Sequence, residues 1–259
     1  MTTNNLLYEL VNGTGIVTLN RPQARNALTF EMYDGLAEIC RNIRKPGSDD
    51  IHALIITGAG DKAFAAGTDI SQFRDFHTEQ DAINYEKHMD EVLSALEEVP
   101  IPTIAAISGA CTGGGAAIAA CCDLRIAAPN LKFGFPIAKT LGNCLSIKNI
   151  SRLASLLGAA RTREILFTSR LIEAEEALRI ALVSEVVNDL MQRALELAGT
   201  MAEQAPLTLY ATKEGLRRLR EQTTKTEDED LIKLCYTSND FREGLNAFLT
   251  KRKPKWSGN

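Results

Sequence analysis

Residues 107–117 read Ile-Ser-Gly-Ala-Cys-Thr-Gly-Gly-Gly-Ala-Ala, three consecutive glycines between an apolar strand-like run and an apolar helical run. Each glycine forfeits more backbone entropy on folding than any other residue, so the triplet is costly. Two things offset such a cost: a tight turn, or a backbone that must come very close to a ligand. The turn has only its backbone N–H groups to offer, because Ala116 and Ala117 carry neither a transferable proton nor a nucleophile. At a helix start the dipole favours negative charge. The pattern predicts an anion or oxyanion hole whose acid/base chemistry comes from elsewhere.

Around that turn the chain alternates short apolar strands with helices. Strands are expected at Leu6–Val11, Gly15–Asn20, Ala53–Thr57, Thr103–Ser108 and Leu124–Ala127, each ending near Gly, Pro or Asn. Helical patterns run at Phe30–Arg44, with Thr29 as N-cap, and at Asp81–Val99, stopped by Pro100 and Pro102. From Lys148 helix follows helix, about 149–157, 161–168, 173–180, 189–204, 207–221 and 226–252, the last broken near Ser238. The fold class is α/β with a helical tail. The expected division is 1–200 for the core and 201–259 for the helical region.

Composition narrows the function classes. The 259-residue chain is 45% hydrophobic and 24% charged, with a net charge of −4, and has no basic footprint for nucleic acid. No stretch approaches the roughly 20 apolar residues of a membrane helix. The N-terminus lacks the basic start and apolar run of a secretory signal. The cysteines Cys40, Cys111, Cys121, Cys122, Cys144 and Cys235 form no CxxC pair, so a reduced, cytoplasmic compartment and no metal site are expected.

A second small-residue loop, Gly58-Ala-Gly-Asp-Lys-Ala-Phe-Ala-Ala-Gly-Thr-Asp-Ile70, follows the Ala53–Thr57 strand. Alone it reads equally well as a glycine-rich connection with Asp69 as a helix cap. Neither loop is a phosphate-binding Walker sequence, and neither fits G-x-G-x-x-G in its strand–helix setting. Together they supply two strand–turn–helix starts whose N–H groups can converge on one carbonyl oxygen.

These two loops, with Asn20-Arg-Pro-Gln-Ala-Arg-Asn-Ala-Leu28, Cys122-Asp-Leu-Arg-Ile-Ala127 and Phe241-Arg-Glu-Gly-Leu-Asn-Ala-Phe-Leu-Thr-Lys-Arg252, resemble the crotonase superfamily, the enoyl-CoA hydratase/isomerase family. The likeness spans nearly the whole chain, in order. It implies a spiral of ββα turns and a C-terminal helical region that forms a homotrimer or a dimer of trimers. It also implies an acyl-CoA thioester substrate, with coenzyme A as part of that substrate and no bound cofactor. The oxyanion-hole N–H groups fall by resemblance on Ala66 and Gly114. The coenzyme A path falls on Ala24, Lys62, Ala63, Phe64, Ala66, Asp69, Ile70, Gly113 and Gly114, with Phe248 and Lys251 reaching the nucleotide from a neighbouring subunit.

The pattern breaks where the family's hydratases carry two glutamates. One slot holds Ala117, just after the triple glycine; the other holds Ile137, after Phe133-Gly-Phe-Pro136. Neither side chain moves a proton, and general acid/base help is commonly worth about 10²–10⁴ in rate. Candidate substitutes are Thr68, Asn143 and Ser146 as hydrogen-bonding groups, Lys139 as a carboxylate holder, Cys144 as a nucleophile only with a lowered pKa, and His77. His52 reads as a surface group, while His77 and His88 flank a helix that by resemblance covers the pocket. Three activities remain open: a hydratase or isomerase with relocated acid/base groups, a malonyl-type acyl-CoA decarboxylase that needs no base, and a non-catalytic thioester binder.

Overall fold

The structure, a computed structural model, describes residues 4–45, 51–222 and 228–258. Ten strands lie among these residues: β1 (Leu6–Val11), β2 (Thr14–Leu19), β3 (Ala53–Gly58), β4 (Ala63–Ala65), β5 (Thr103–Ile107), β6 (Ala110–Thr112), β7 (Leu124–Ala127), β8 (Lys132–Gly134), β9 (Ile172–Glu173) and β10 (Glu185–Val186). They form a six-stranded sheet in the order β1-β2-β3-β5-β7-β10 and a four-stranded sheet in the order β4-β6-β8-β9. The chain therefore leaves one strand in each sheet on every pass: β3 then β4, β5 then β6, β7 then β8. A helix follows the first two passes, α2 (Glu79–Glu97) and α3 (Gly114–Cys121), which gives the ββα spiral. The five expected strands all fall in the larger sheet. Its central strands β3 and β5 are almost wholly buried, which is why they read as continuous apolar runs.

Helix α1 (Phe30–Asn42) starts where Thr29 accepts a hydrogen bond from the Met32 N–H, as expected. It packs with α2 around Met32, Leu36, Val92 and Leu96 in the main core. α2 begins in a capping box made by Thr78 and Asp81. The remaining helices are α4 (Ile137–Thr140), α5 (Ile147–Leu157), α6 (Ala159–Thr168), α7 (Ala174–Arg179), α8 (Leu190–Ala202), α9 (Pro206–Glu221), α10 (Glu229–Tyr236) and α11 (Asn239–Leu249). Residue 200 lies inside α8, whose Ala194 and Ala198 pack on Ile55 and Ile104 of the larger sheet. Residues 226 and 227, where the last helix was expected to begin, lie outside the described residues. Beyond them the expected break stands at Ser238, whose hydroxyl accepts from the Phe241 N–H to start α11.

The C-terminal helices leave an apolar face uncovered: Leu207, Leu216, Leu219 and Leu234 are each between 63% and 70% exposed. Contact with the core runs instead through a second cluster, in which Ile232, Tyr236 and Phe241 pack on Phe73, Ala82 and Leu141. Among the described residues no helix is long and apolar enough to cross a membrane.

Candidate active site

Each glycine of the triplet has its own reason. Gly113, with φ of 52° and ψ of −119°, is the N-cap of α3 in a conformation that L side chains avoid. A Cβ on Gly114 would overlap the Tyr33 hydroxyl, and one on Gly115 would overlap the Ala65 carbonyl. The turn is thus compressed by its own protein as well as open to a ligand. Gly113 donates its N–H to the Gly134 carbonyl at 3.0 Å, and the Gly114 N–H has no acceptor among the described residues.

The other loop corrects one expectation. The Ala66 N–H is donated to the Arg25 carbonyl at 3.0 Å, so it has no proton left for a ligand. Arg25 and Asn26 both sit in the left-handed region, at φ of 51° and 55°, and this turn brings the Arg25 carbonyl round to β4's end. Two residues on, Leu28 pairs with Thr68 in an isolated bridge, using the Leu28 and Asp69 N–H groups. The Thr68 N–H is left without an acceptor among the described residues. Thr68 also adjoins the glycine turn, its Oγ1 lying 3.1 Å from where a Gly114 Cβ would stand. Among the described residues, Thr68 and Gly114 thus each carry an N–H without a protein acceptor in neighbouring loops.

Both line one cavity of about 620 Å³, whose walls include Phe73, Met89, Leu93 and Phe135. Ala117 and Ile137 line it as well, so the two slots without glutamate face the ligand space with alkyl groups. Over the turn lies a run of three hydroxyls: Thr68 Oγ1 is 2.9 Å from Tyr33 Oη and 3.2 Å from Tyr85 Oη. Burial pushes the pKa of both tyrosines up. Arg25 and Lys132 supply positive charge along the same cavity, and Arg25 and Lys62 line an adjoining space of about 310 Å³.

The other expected site residues divide cleanly. Ala24, Asp69, Ile70, Gly113, Asn143 and Phe248 line the main cavity, and Lys62 and Ala63 the adjoining one. The Phe64 side chain is wholly buried in the core and faces neither. Asp69 is a cap: it accepts from the Ser71 N–H and pairs with Arg21 at 3.1 Å. Burial opposes its charge, yet the hydrogen bonds from Ser71 and Arg21 outweigh this and hold its pKa low. Ser146 is buried outside the cavity wall, donating to Asp90 at 2.8 Å and capping α5, so its hydroxyl is committed. Lys139, Lys251 and His77 are exposed and outside the wall. His88 sits 2.9 Å from Asp34, and His52 3.3 Å from Thr14. The Cys144 thiol is pushed up by its hydrogen bond to Cys235 and by burial, which removes it as a nucleophile.

Among the cavity residues that went unnoticed in the sequence is a carboxylate. Glu86 on α2 is 4% exposed and points among Tyr85, Met89 and Leu93, the cavity face of the helix. The signal was a carboxylate at a position of the apolar repeat Ala82, Glu86, Met89, Leu93. Tyr236 donates its hydroxyl to Glu86 at 2.5 Å, and Asn143 Nδ2 donates to Tyr236 at 3.3 Å. Among the described residues no group of three or more His, Cys, Asp or Glu side chains could hold a metal ion.

The pattern of the Enoyl-CoA hydratase/isomerase family matches residues 9–259. A short-chain-enoyl-CoA hydratase of Clostridium acetobutylicum is 33% identical over 98% of this chain and 97% of its own. Among solved structures, an enoyl-CoA hydratase/carnithine racemase of Magnetospirillum magneticum is 36% identical with a TM-score of 0.79, over 100% of this chain and 97% of that one. A methylmalonyl-CoA decarboxylase complexed with 2S-carboxypropyl-CoA is 28% identical with a TM-score of 0.89, over 100% of both chains.

Proposed function

The chain belongs to the enoyl-CoA hydratase/isomerase family, and on that premise we propose that it turns over an acyl-CoA thioester through an enolate held by backbone N–H groups. The observation that carries this reading is the pair of N–H groups of Thr68 and Gly114, without an acceptor among the described residues and lining one largely apolar cavity. A thioester carbonyl oxygen between them gains hydrogen bonds that strengthen as negative charge moves onto it, and losing one such donor commonly costs about 10²–10³ in kcat. Apolar walls keep the local dielectric low and raise the worth of each donor. Arg25, Lys132 and Lys62 suit the phosphates of coenzyme A. Phe248, and the exposed Lys251 beyond it, fit the nucleotide end; the uncovered leucines of the C-terminal helices fit burial against further copies in a trimer or a dimer of trimers.

Decarboxylation of a malonyl-type thioester is the second reading. It is favoured by Ala117 and Ile137, because loss of CO₂ creates the enolate without a base, and by the likeness to the decarboxylase. The test incubates the protein with crotonyl-CoA, a 3-enoyl-CoA and methylmalonyl-CoA and follows mass and absorbance. Water gain marks a hydratase, a moved double bond an isomerase and CO₂ loss a decarboxylase. Gly114→Pro, made with Tyr33→Phe to clear the space beside it, removes one donor and lowers turnover relative to Tyr33→Phe alone. Equal turnover in the two variants refutes the Gly114 role, and tight binding without any turnover returns the protein to a thioester binder.

A further inference from the structure

Two carboxylates line the main cavity among the described residues, and they are in opposite states. Asp69 is fixed by Arg21 and Ser71. Among the described residues Glu86 forms no ion pair, and its hydrogen bonds come from the Tyr236 hydroxyl and the Ser146 backbone N–H. The groups facing it from the surrounding elements are acidic or neutral. They are Asp90 and Tyr85 on its own helix, Cys144 between α4 and α5, Asp228 before α10, Tyr236 on α10 and Tyr33 on α1. The charge of Glu86 is felt at the Tyr33 hydroxyl, which stands directly over Gly114. Asn143 adds a buried Oδ1 with no partner among the described residues beside the same wall.

We propose that Glu86 is the group that moves the proton at the carbon next to the thioester carbonyl, replacing the carboxylates missing at Ala117 and Ile137. This rests on the enolate reading above and gives it a base and an acid in one side chain. As carboxylate, Glu86 takes the proton from C2; the C–H electron pair forms the C1–C2 double bond, and the carbonyl π pair moves to the oxygen held by Thr68 and Gly114. As carboxylic acid it returns a proton to carbon: to C2, which restores the reactant, or to C4 of a dienolate, which shifts a double bond. No further reactant is needed. Burial pushes the Glu86 pKa up to about 8, with Asp90 and Asp228 adding to the effect and Tyr236 opposing it. A group that titrates near the working pH can serve in both directions.

The test is exchange without net reaction. The full chain is incubated with butyryl-CoA in D₂O, deuterium at C2 is followed by mass spectrometry, and binding of butyryl-CoA is measured separately by calorimetry. Exchange in the wild type is expected to rise with pH and level off above about pH 8, since abstraction needs the carboxylate. Glu86→Gln keeps the shape and the Tyr236 contact and is expected to bind the ester but exchange about 10²–10⁴-fold more slowly. Tyr236→Phe removes a hydrogen bond that favours the carboxylate, so the inflection should move to higher pH, a shift that a purely structural tyrosine would not cause. Undiminished exchange in Glu86→Gln, or binding without exchange in the wild type, overturns the role of Glu86 and leaves the thioester site standing. Absence of binding in the wild type overturns the enolate reading, and the role of Glu86 falls with it.

Discussion

Gly114→Ala should be destabilising in the wild type and nearly neutral once the Tyr33 hydroxyl is gone. Gly114 is the first residue of α3 with no positive φ, so its backbone accepts alanine. The obstacle is one oxygen. A Cβ there overlaps Tyr33 Oη, while the next atoms, Thr68 Oγ1 and Tyr33 Cζ, are 3.1 and 3.2 Å away and need only a small adjustment. Tyr33 is 2% exposed and hydrogen-bonded to Thr68, so moving its ring costs that bond and its packing. Overpacking of this kind costs about 1–3 kcal/mol. Tyr33→Phe alone loses one hydrogen bond, about 1 kcal/mol, because Thr68 keeps Tyr85 as a partner. Independent effects would sum to about 2–4 kcal/mol in the double variant. Relief of the overlap predicts about 1 kcal/mol instead, hence a coupling of about 1–3 kcal/mol. Urea midpoints of the four proteins measure it, with thermal midpoints as a check at about 2–4 °C per kcal/mol for a chain near this size. Additive losses would refute the claim that the hydroxyl, and not the backbone, makes glycine necessary at 114.

Stability should also report the ionisation of Glu86. Its folded pKa is raised to about 8 from an ordinary 4.5, so the folded state binds the extra proton and stability falls as pH rises through this window. The limiting slope is about 1.4 kcal/mol per pH unit, and Glu86→Gln should flatten it; a wild-type thermal midpoint independent of pH between 5 and 8 contradicts the assignment. Among the thiols, the hydrogen bond from Cys144 lowers Cys235 to about 7. Brief alkylation near neutral pH followed by peptide mass mapping should therefore mark Cys235 first, and leave buried Cys40, Cys111, Cys121 and Cys122 untouched. Equal labelling of Cys144 and Cys235 would contradict that polarity.

The parts of the fold carried by long apolar runs were legible. Five of the six larger-sheet strands, Thr29 as a cap, the helix break near Ser238 and the Gly113–Gly115 turn announce themselves through local pattern, whereas the two-residue β10 does not. The second sheet did not, because β4, β6 and β8 are three residues each, and β4 and β6 lie inside loops dominated by small residues. The misplaced oxyanion donor has a similar cause. Ala66 and Thr68 look alike as loop positions, and only the carbonyl of Arg25, 41 residues earlier in the chain, decides which N–H is free. Glu86 was hidden for the opposite reason: a helical glutamate is usually on the solvated face, and only the packing of α10 with Tyr236 shows it turned inward. Charged residues at apolar-repeat positions of the helix after such a loop are the general signal.

The three hydroxyls of Tyr33, Thr68 and Tyr85 repay a count of protons. They share two hydrogen bonds but carry three hydrogens between them. If the chain runs from Tyr33 to Tyr85, the hydrogen of Tyr85 is surplus; if it runs the other way, that of Tyr33 is; if both tyrosines donate to Thr68, Thr68 holds the spare. No arrangement uses all three within the trio. A ligand oxygen arriving beside Gly114 therefore meets a reversible row of dipoles that can present a hydrogen by reorienting, with both internal bonds kept.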